Sequence, residues 1–517
     1  MVAVNTSAPE RCLLLRPDDS VGLLTRTVAA GTEVVAGGAR LRLRDEVPAG
    51  HKVALREIPR GEQVRKYGQV IGIATSDIAA GEHVHTHNLA FAEFERDYAF
   101  GQDAKGPQAA PPGPPATFSG IVRADGRIAT RNYLGVLTSV NCSATVARMI
   151  ANQFQEGSEL LAAYPNLDGV VALTHGSGCG MAGYGEGFDL LRRTLSGYAR
   201  HPNFAGLLVL GLGCEVNQVR SLTEGFDLPS STPFLSMTIQ EMGGTRATVR
   251  EATAQLRDLA EEADKAERSP VPASELVLGL ECGGSDGYSG ITANPALGVA
   301  ADLLVQHGGT AVLGETPEIY GAEHLLTRRA ASRAVGERLV ERIRWWEDYV
   351  KRCGASLDNN PAPGNKEGGL TTILEKSLGA VAKGGSQDLS AVYEYAEPIT
   401  DKGFVFMDTP GYDPVSVTGM VAGGANVVCF TTGRGSVFGS KPAPCLKLAT
   451  NSGTYERMSE DMDVNCGAIV DGTTSVEACG QEIFDLVLAV ASGQRSKSED
   501  LGFGDEEFTP WQLGAVL

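Results

Sequence analysis

Between residues 12 and 90, short apolar runs such as CLLLRPDDSVGLL, VALREIP and QVIGIATSDI are cut by the turn signals AGT, PAGH, PRGE and AAGE. Runs this short, bounded by glycine and proline, predict strands rather than helices, so residues 1–95 are expected to form a small β-rich domain. Residues 96–117 contain KGPQAAPPGPPAT, where proline and glycine exclude helix and sheet and predict an extended, semi-rigid linker. From Phe118 the pattern becomes apolar strand, polar glycine-rich loop, then amphipathic helix, as in NYLGVLTSVNCSATVARMIANQF, LDGVVALTHGSGCG, FAGLLVLGLGCEVNQ and ELVLGLECGGSDGYSGITANPALGVAADLLVQHG. That rhythm predicts α/β units with mostly parallel sheets. The loop NNPAPGNKEGG at 359–369 precedes two further strands, GFVFMDTPG and ANVVCFTTGRG. The reading therefore places one α/β domain, which carries the chemistry, at 118–365 and a second at 366–517. Ligands of open α/β sheets bind beyond the carboxyl ends of the strands, so these strand-end loops are expected to converge on one crevice.

A chain of 517 residues is too long for one ordinary core. Its 42% hydrophobic and 21% charged residues are those of a globular protein. The 64 glycines fall in short loops after apolar runs, where backbone turns sharply or approaches a ligand. A net charge of −19 makes nucleic acid and anionic membrane poor partners. It does not exclude an anionic small molecule, because a few internal cations or a metal can dominate a pocket. The opening MVAVNTSAPERCLLL has too short an apolar run for a secretory leader, and ten cysteines, several of them next to glycine at the ends of apolar runs, read as thiols or metal ligands of a reducing compartment. A cytoplasmic location and a homo-oligomer are expected.

Candidate chemistry sits at strand ends: Asn141-Cys142, His175-Gly-Ser-Gly-Cys179, Cys214-Glu215, and Cys282 followed by Ser285-Asp286. Thiolate, imidazole and carboxylate are ligands a divalent transition metal accepts. No CxxC or HExxH spacing is present, and the competing reading is of cysteines as small buried hydrophobes. His175 follows the apolar run VVALT and is a candidate metal ligand or general base, with loop capping as the alternative. In the first domain His51 is joined by His83, His85 and His87 of GEHVHTHN. Strand alternation would put those last three on one face, either as a metal or anion site or as a solvated edge. Lys366, Arg434 and Lys447 are candidate cations for a carboxylate, and Arg434 between two glycines offers a bidentate fork. LGLGCE carries only GxG without the third glycine of GxGxxG, and no GxxxxGK followed by Ser or Thr occurs, which makes a nucleotide enzyme the weaker reading.

Together GHKVALREIPRGEQVRKYGQVIG, ADGRIATRNYLGV, LGLGCEVNQ, LECGGSDGYSGITANPALG, PGNKEGGLTTILEKSLG and FTTGRGSVFG resemble the altronate/galactarate dehydratase family over nearly the whole chain. The resemblance implies an N-terminal SAF (antifreeze-like) domain followed by two Rossmann-like units. It also implies dehydration of a hexonate or hexarate to a 2-keto-3-deoxy acid, with iron(II) as the usual cofactor, manganese(II) or a similar ion as the next choice, and a small sugar acid as partner. On that reading His175, His51 or His87 moves protons with Lys366 nearby. Arg434, Lys447, Asn141, Ser285 and Asn451 bind substrate, and Cys142, Cys179, Cys214, Glu215, Cys282 and Asp286 supply metal or near-metal groups. An iron–sulfur dehydratase using three of Cys142, Cys179, Cys214 and Cys282 is an alternative. So are a sulfolactate-type sulfo-lyase and a non-catalytic sugar-acid binder. GEHVHTHN and ETPEIYGAEHLL look like the altronate branch, FSGIVRADGRIATRNYLGVLTSVNC and LAVASGQ like the galactarate branch. His175-Gly-Ser-Gly-Cys179 lacks the aromatic residue of the HTYGC or HLYGC loops, which leaves the particular sugar acid open.

Overall fold

The computed structural model describes residues 10–94, 96–106, 113–226, 228–229 and 232–516. Its first unit is β-rich, as the short runs predict. A six-stranded sheet runs Ala39–Arg42, Glu33–Ala36, Glu10–Leu13, Val21–Leu24, Lys52–Ala54, His83–Val84, and a three-stranded sheet pairs Gln63–Lys66, Gln69–Ala74 and Leu89–Ala90. The strands stay short because each turn signal places a glycine at positive φ, Gly31 at 80°, Gly61 at 85° and Gly81 at 84°, a conformation that L side chains avoid.

The second unit is a parallel sheet in the order Gly169–Leu173, Tyr133–Thr138, Phe204–Gly211, Phe234–Thr238. It is covered by helices Ala144–Ala151, Glu186–Arg200 and Thr245–Ala263. Tyr133–Thr138 is buried throughout, so it reads as a continuous apolar run rather than an alternation. The chain enters this unit along Thr117–Val122 and leaves it along Arg268–Pro272, and those two strands pair antiparallel.

The third unit is a seven-stranded parallel sheet, Leu389–Tyr393, Gly403–Met407, Thr310–Leu313, Val277–Cys282, Val427–Thr432, Cys445–Ala449, Val464–Asn465. The border expected at 365 therefore falls inside one sheet, not between two. The strandless stretch from 314 to 388 imitates a domain boundary in the sequence, but the strands on either side of it hydrogen-bond in common. Strand order reverses around Val277–Cys282: the next strand lies on one side and Val427–Thr432 on the other. Such a reversal opens a crevice at the carboxyl ends of the two neighbouring strands.

The described part of the expected linker is not a free spacer. Arg96 pairs with Glu323 at 2.9 Å and lies over the Tyr320 ring, Thr327 donates to the Tyr98 carbonyl, and Arg328 pairs with Asp103 at 2.6 Å. Charged, aromatic and hydroxyl groups of the third unit thus fasten residues 96–106, while 107–112 lie outside the described residues. Among the described residues no helix is long and apolar enough to cross a membrane.

The first unit docks on the third through a buried triad. Lys52 Nζ lies 2.9 Å and Lys66 Nζ 2.8 Å from the two oxygens of Glu375, all three side chains being inaccessible to solvent. Burial alone would raise the Glu375 carboxyl, but the two ammonium groups overcome it and hold it well below the usual carboxylate range. A depressed folded-state pKa contributes stability that is complete above the unfolded value of about 4.3 and is lost as pH falls below it. Glu375→Ala, which leaves two buried ammonium groups facing each other, is expected to cost about 3–5 kcal/mol in urea unfolding. Glu375→Gln is expected to show a shallower loss of stability than the parent between about pH 4 and pH 2.

Candidate functional site

Cys282 and Thr432 end neighbouring strands at the reversal point, and the loops that follow are locked together. Gly433 N and Arg434 N donate to the Gly284 carbonyl at 3.1 and 2.9 Å. A Cβ on Gly433 would lie 2.1 Å from Asp286 Cγ, so only glycine fits there. Asp286 accepts from Tyr288 N, Ser289 N, Ser289 Oγ, Thr450 Oγ1 and Asn451 Nδ2 at 2.9–3.1 Å. Its carboxylate is thus spent on organising the loops, not left open as a metal ligand. Asn451 caps helix Ser452–Arg457 and bonds Asp286 and the Gly433 carbonyl, while the Ser285 carbonyl accepts from Asn365. Both positions shape the crevice floor.

The first domain closes this crevice. Gly50 O lies where a Cβ on Gly287 or Gly369 would be, 2.0 and 2.3 Å away, so the two backbones can touch. His51 consequently lands on helix Pro363–Glu367. Its Nε2 is 3.1 Å from the Glu367 carbonyl, and His85 Nε2 is 2.9 Å from that of Lys366. A carbonyl only accepts, so both Nε2 atoms carry the proton and both Nδ1 atoms keep a lone pair. His51 Nδ1 faces His83 Nε2 at 3.0 Å, and the His83–His87 centroids are 5.5 Å apart. The strand ends at Val84, yet the four rings gather on one side. Burial, with the neighbouring imidazoles, pushes His83 down to about 3, and burial with Lys52 pushes His85 down to about 4. Neutral rings with the far N–H given to a peptide carbonyl are suited to hold a divalent ion. Arg434, half-exposed, reaches Glu367 at 3.3 Å beside them, and Lys366 is on the same turn.

Behind the crevice lies a buried acid cluster that the sequence reading missed, apart from Cys282. Cys282, Glu315 and Glu318 form one group of metal-capable atoms within 4.8 Å, and Glu281, Glu315 and Asp413 form another. Lys383 meets Glu315 and Lys376 meets Glu318, each at 2.6 Å. The Cys282 thiol donates to both glutamates at 3.4 and 3.3 Å, and burial pushes it well above the ordinary thiol value. Burial, with Glu315 and Glu318, pushes Asp413 up to about 7. Glu315 follows the run TAVLG with φ of 64°, and an acid set directly after an apolar strand was the available signal. Asn360 Nδ2 bonds Glu318 at 2.9 Å, so the segment 360–369 joins this cluster to the histidines.

The other expected residues lie elsewhere. His175 is buried with Nε2 3.0 Å from the Thr138 carbonyl and Nδ1 3.1 Å from Ser177 Oγ. With both nitrogens engaged it pins its loop instead of offering a ligand or base. Glu215 is likewise spent on Ser139 Oγ and Gly213 N at 2.6 and 2.7 Å. Asn141 bonds the Ser177 and His175 carbonyls, and Cys142, Cys179 and Cys214 are exposed beside it. Lys447 is buried, donating to the Phe438 carbonyl and Ser498, because its strand Cys445–Ala449 is buried on both faces. A cleft of about 860 Å³ opens at the starting ends of Tyr133–Thr138 and Gly169–Leu173. Strand-end chemistry lies at the opposite edge, so this cleft is not taken as the site.

A β-rich domain that lends histidines to the strand-end crevice of a parallel sheet defines a class of composite lyase-type sites. Residues 10–92 match the altronate/galactarate dehydratase SAF domain, 120–264 the D-galactarate dehydratase/altronate hydrolase second domain, and 273–516 the D-galactarate/altronate dehydratase C-terminal domain. The chain is 34% identical to an altronate dehydratase of Bacillus subtilis (strain 168), covering 97% of this chain and 99% of that protein. It is 37% identical to the L-threo-forming galactarate dehydratase of Escherichia coli (strain K12), covering 93% of each. It is 33% identical to the (2R)-sulfolactate sulfo-lyase subunit beta of Chromohalobacter salexigens, covering 75% of this chain and 95% of that one. The chain belongs to the galactarate/altronate dehydratase family.

Because both His175 nitrogens are satisfied internally, His175→Ala is expected to lower stability by about 1–3 kcal/mol. The check is the urea midpoint at unchanged denaturant slope.

Proposed function

We propose that the chain is a cytoplasmic hydro-lyase that dehydrates an aldonate or aldarate to a 2-keto-3-deoxy acid with a divalent metal, iron(II), bound beside the histidines of the first domain. The observation that carries this reading is the gathering of neutral imidazoles on the Lys366 and Glu367 carbonyls, beside Arg434, at the mouth of the strand-reversal crevice. The relatives' activities, altronate and galactarate dehydration, support the substrate class. The ten unpaired thiols support a reducing compartment.

A proton next to a carboxylate is weakly acidic, so its removal needs a base and positive charge close to the carboxylate oxygens. A divalent ion, when bound, supplies part of that charge as a Lewis acid. Arg434 and Lys366 supply the rest and orient the carboxylate through charge-assisted hydrogen bonds. His87, exposed at the edge of the ring group, is the proposed group to take the proton from C2 or return one to the departing C3 hydroxyl. The closely packed glycines Gly50, Gly287 and Gly369 let the first domain's backbone close directly on the crevice loops.

The test is an anaerobic assay of iron(II)-loaded protein against altronate, galactarate, related sugar acids and sulfolactate, reading 2-keto acid as semicarbazone and sulfite by a thiol-reactive dye. The expected outcome is keto acid from at least one sugar acid. His51→Ala is expected to lower kcat by about 10²-fold or more. Arg434→Ala is expected to raise KM by about tenfold or more. Sulfite release alone would favour the sulfo-lyase reading, and ligand binding without turnover on the whole panel would favour a binding protein.

A further inference from the structure

Of the ten cysteines, six are buried and Cys353 caps a surface helix, whereas Cys142, Cys179 and Cys214 are exposed on the loops after three adjacent parallel strands. Free cysteine is among the most buried residue types, so three exposed thiols at one sheet edge need a reason. Their loops are tied to one another. Asn141 N donates to the Ser177 carbonyl at 3.0 Å, Asn217 N to the Gly178 carbonyl at 3.0 Å, and Asn217 Nδ2 to the Ser139 carbonyl at 3.1 Å. A Cβ on Gly178 would lie 2.2 Å from the Ser139 carbonyl oxygen, so the backbones on which Cys142 and Cys179 sit are in contact. Ser139 Oγ in turn donates to Glu215, the neighbour of Cys214. His175, Glu215 and Asn217 are all buried and spend their polar atoms on this lacing. The exception is Asn217 Oδ1, which is buried among the loops with no partner. Gln240 Nε2 approaches Cys214 Sγ at 3.6 Å, a donor aimed at the sulfur.

We infer that Cys142, Cys179 and Cys214 hold a 4Fe–4S cluster on the solvent-facing edge of the second domain, with its fourth iron open to an oxygen ligand. Among the described residues these thiols belong to no group whose ligand atoms all lie within 4.8 Å of one another. A cluster holds its three cysteine sulfurs farther apart than the ligands of one ion, which suits three separate loops. Loading proceeds by ligand exchange without change of oxidation state. Each cysteine S–H gives its proton to a departing small thiolate as the new S–Fe bond forms, and three thiols are released per cluster. The inference is independent of the hydro-lyase reading, since the site uses none of the crevice histidines.

The experiment treats the full chain, anaerobically, with a synthetic 4Fe–4S cluster ligated by 2-mercaptoethanol, removes excess, and measures iron, acid-labile sulfide and visible thiolate-to-iron absorption. The expected result is about four labile sulfides per chain, reduced to background in Cys142→Ser, Cys179→Ser and Cys214→Ser but retained in Cys353→Ser. His51→Ala is expected to keep its sulfide, which separates failure here from failure of the dehydratase assay. In case a variant does not fold, iodoacetamide mapping of the parent protein is the second readout. Cys142, Cys179 and Cys214 are expected to be alkylated before loading and protected after it, with Cys353 alkylated in both. Absence of labile sulfide from the loaded parent, or retention of alkylation at these three thiols, overturns the inference.

Discussion

Two lysines of the first domain meet one buried glutamate of the third, and the geometry of the crevice depends on that contact. Glu375 accepts from Lys52, Lys66 and Thr371 in a place without water, so a shift in docking would leave a charge uncompensated, at a cost of several kcal/mol. Buried ion pairs of this kind add little net stability over an apolar contact, but they penalise every alternative register. Here the register sets which carbonyls His51 and His85 reach. The same charges act on the histidines directly, because Lys52 is among the groups that lower His51, His83 and His85. Docking and the uncharged state of the rings are thus two effects of one arrangement.

Close approach of backbone is the second condition. Gly50, Gly287, Gly368 and Gly369 come from three segments far apart in sequence, yet Gly287 N bonds the Gly368 carbonyl and Gly50 O rests against both Gly287 and Gly369. A Cβ on Gly287 or Gly369 would lie 2.0 or 2.3 Å from Gly50 O, so a side chain at either would force the first domain away from the sheet. Asp286 completes the floor by gathering donors from its own loop and from Thr450 and Asn451.

What could be read in the sequence followed from local rules. Short runs between turn glycines gave the β-rich unit, and continuous apolar runs before glycine-rich loops gave the parallel sheets, since both depend on neighbours in the chain. The four first-domain histidines were likewise visible, as were Lys366 and Arg434 on glycine-flanked loops. Long-range facts were not visible. The sheet that spans 277–465 is interrupted by a stretch of about seventy residues without a strand, which imitates a boundary because hydrogen bonding between distant strands leaves no periodic trace. Lys447 read as a candidate cation for a carboxylate, yet its strand is flanked by two others and buried on both faces. Asp286 and Glu215 have the chemistry of metal ligands, but whether a carboxylate is open or saturated depends on donors from other loops. Glu315 and Glu318 were overlooked because nothing near them in sequence shows Lys376 and Lys383, which keep them company from another helical segment.

Those two lysines also bear on how the acid cluster should be understood. Glu315 and Glu318 lie close enough to Cys282 to share one ion, but each already has an ammonium group at 2.6 Å. The ammonium groups supply the neutralising charge a dication would bring. The remaining acids are discharged differently: burial and Glu315 raise Glu281 well above the usual carboxylate range, and burial raises Asp413 to about 7. Glu281 Oε1 and Glu315 Oε1 have no other partner, so a proton retained between them removes charge where no cation reaches. Four acids, a neutral thiol and two lysines can then be buried together without net excess charge. That balance lets the strand ends beneath the crevice stay dry while Asn360, bonded to both Glu318 and Lys376, anchors the segment that presents the Lys366 and Glu367 carbonyls to the histidines.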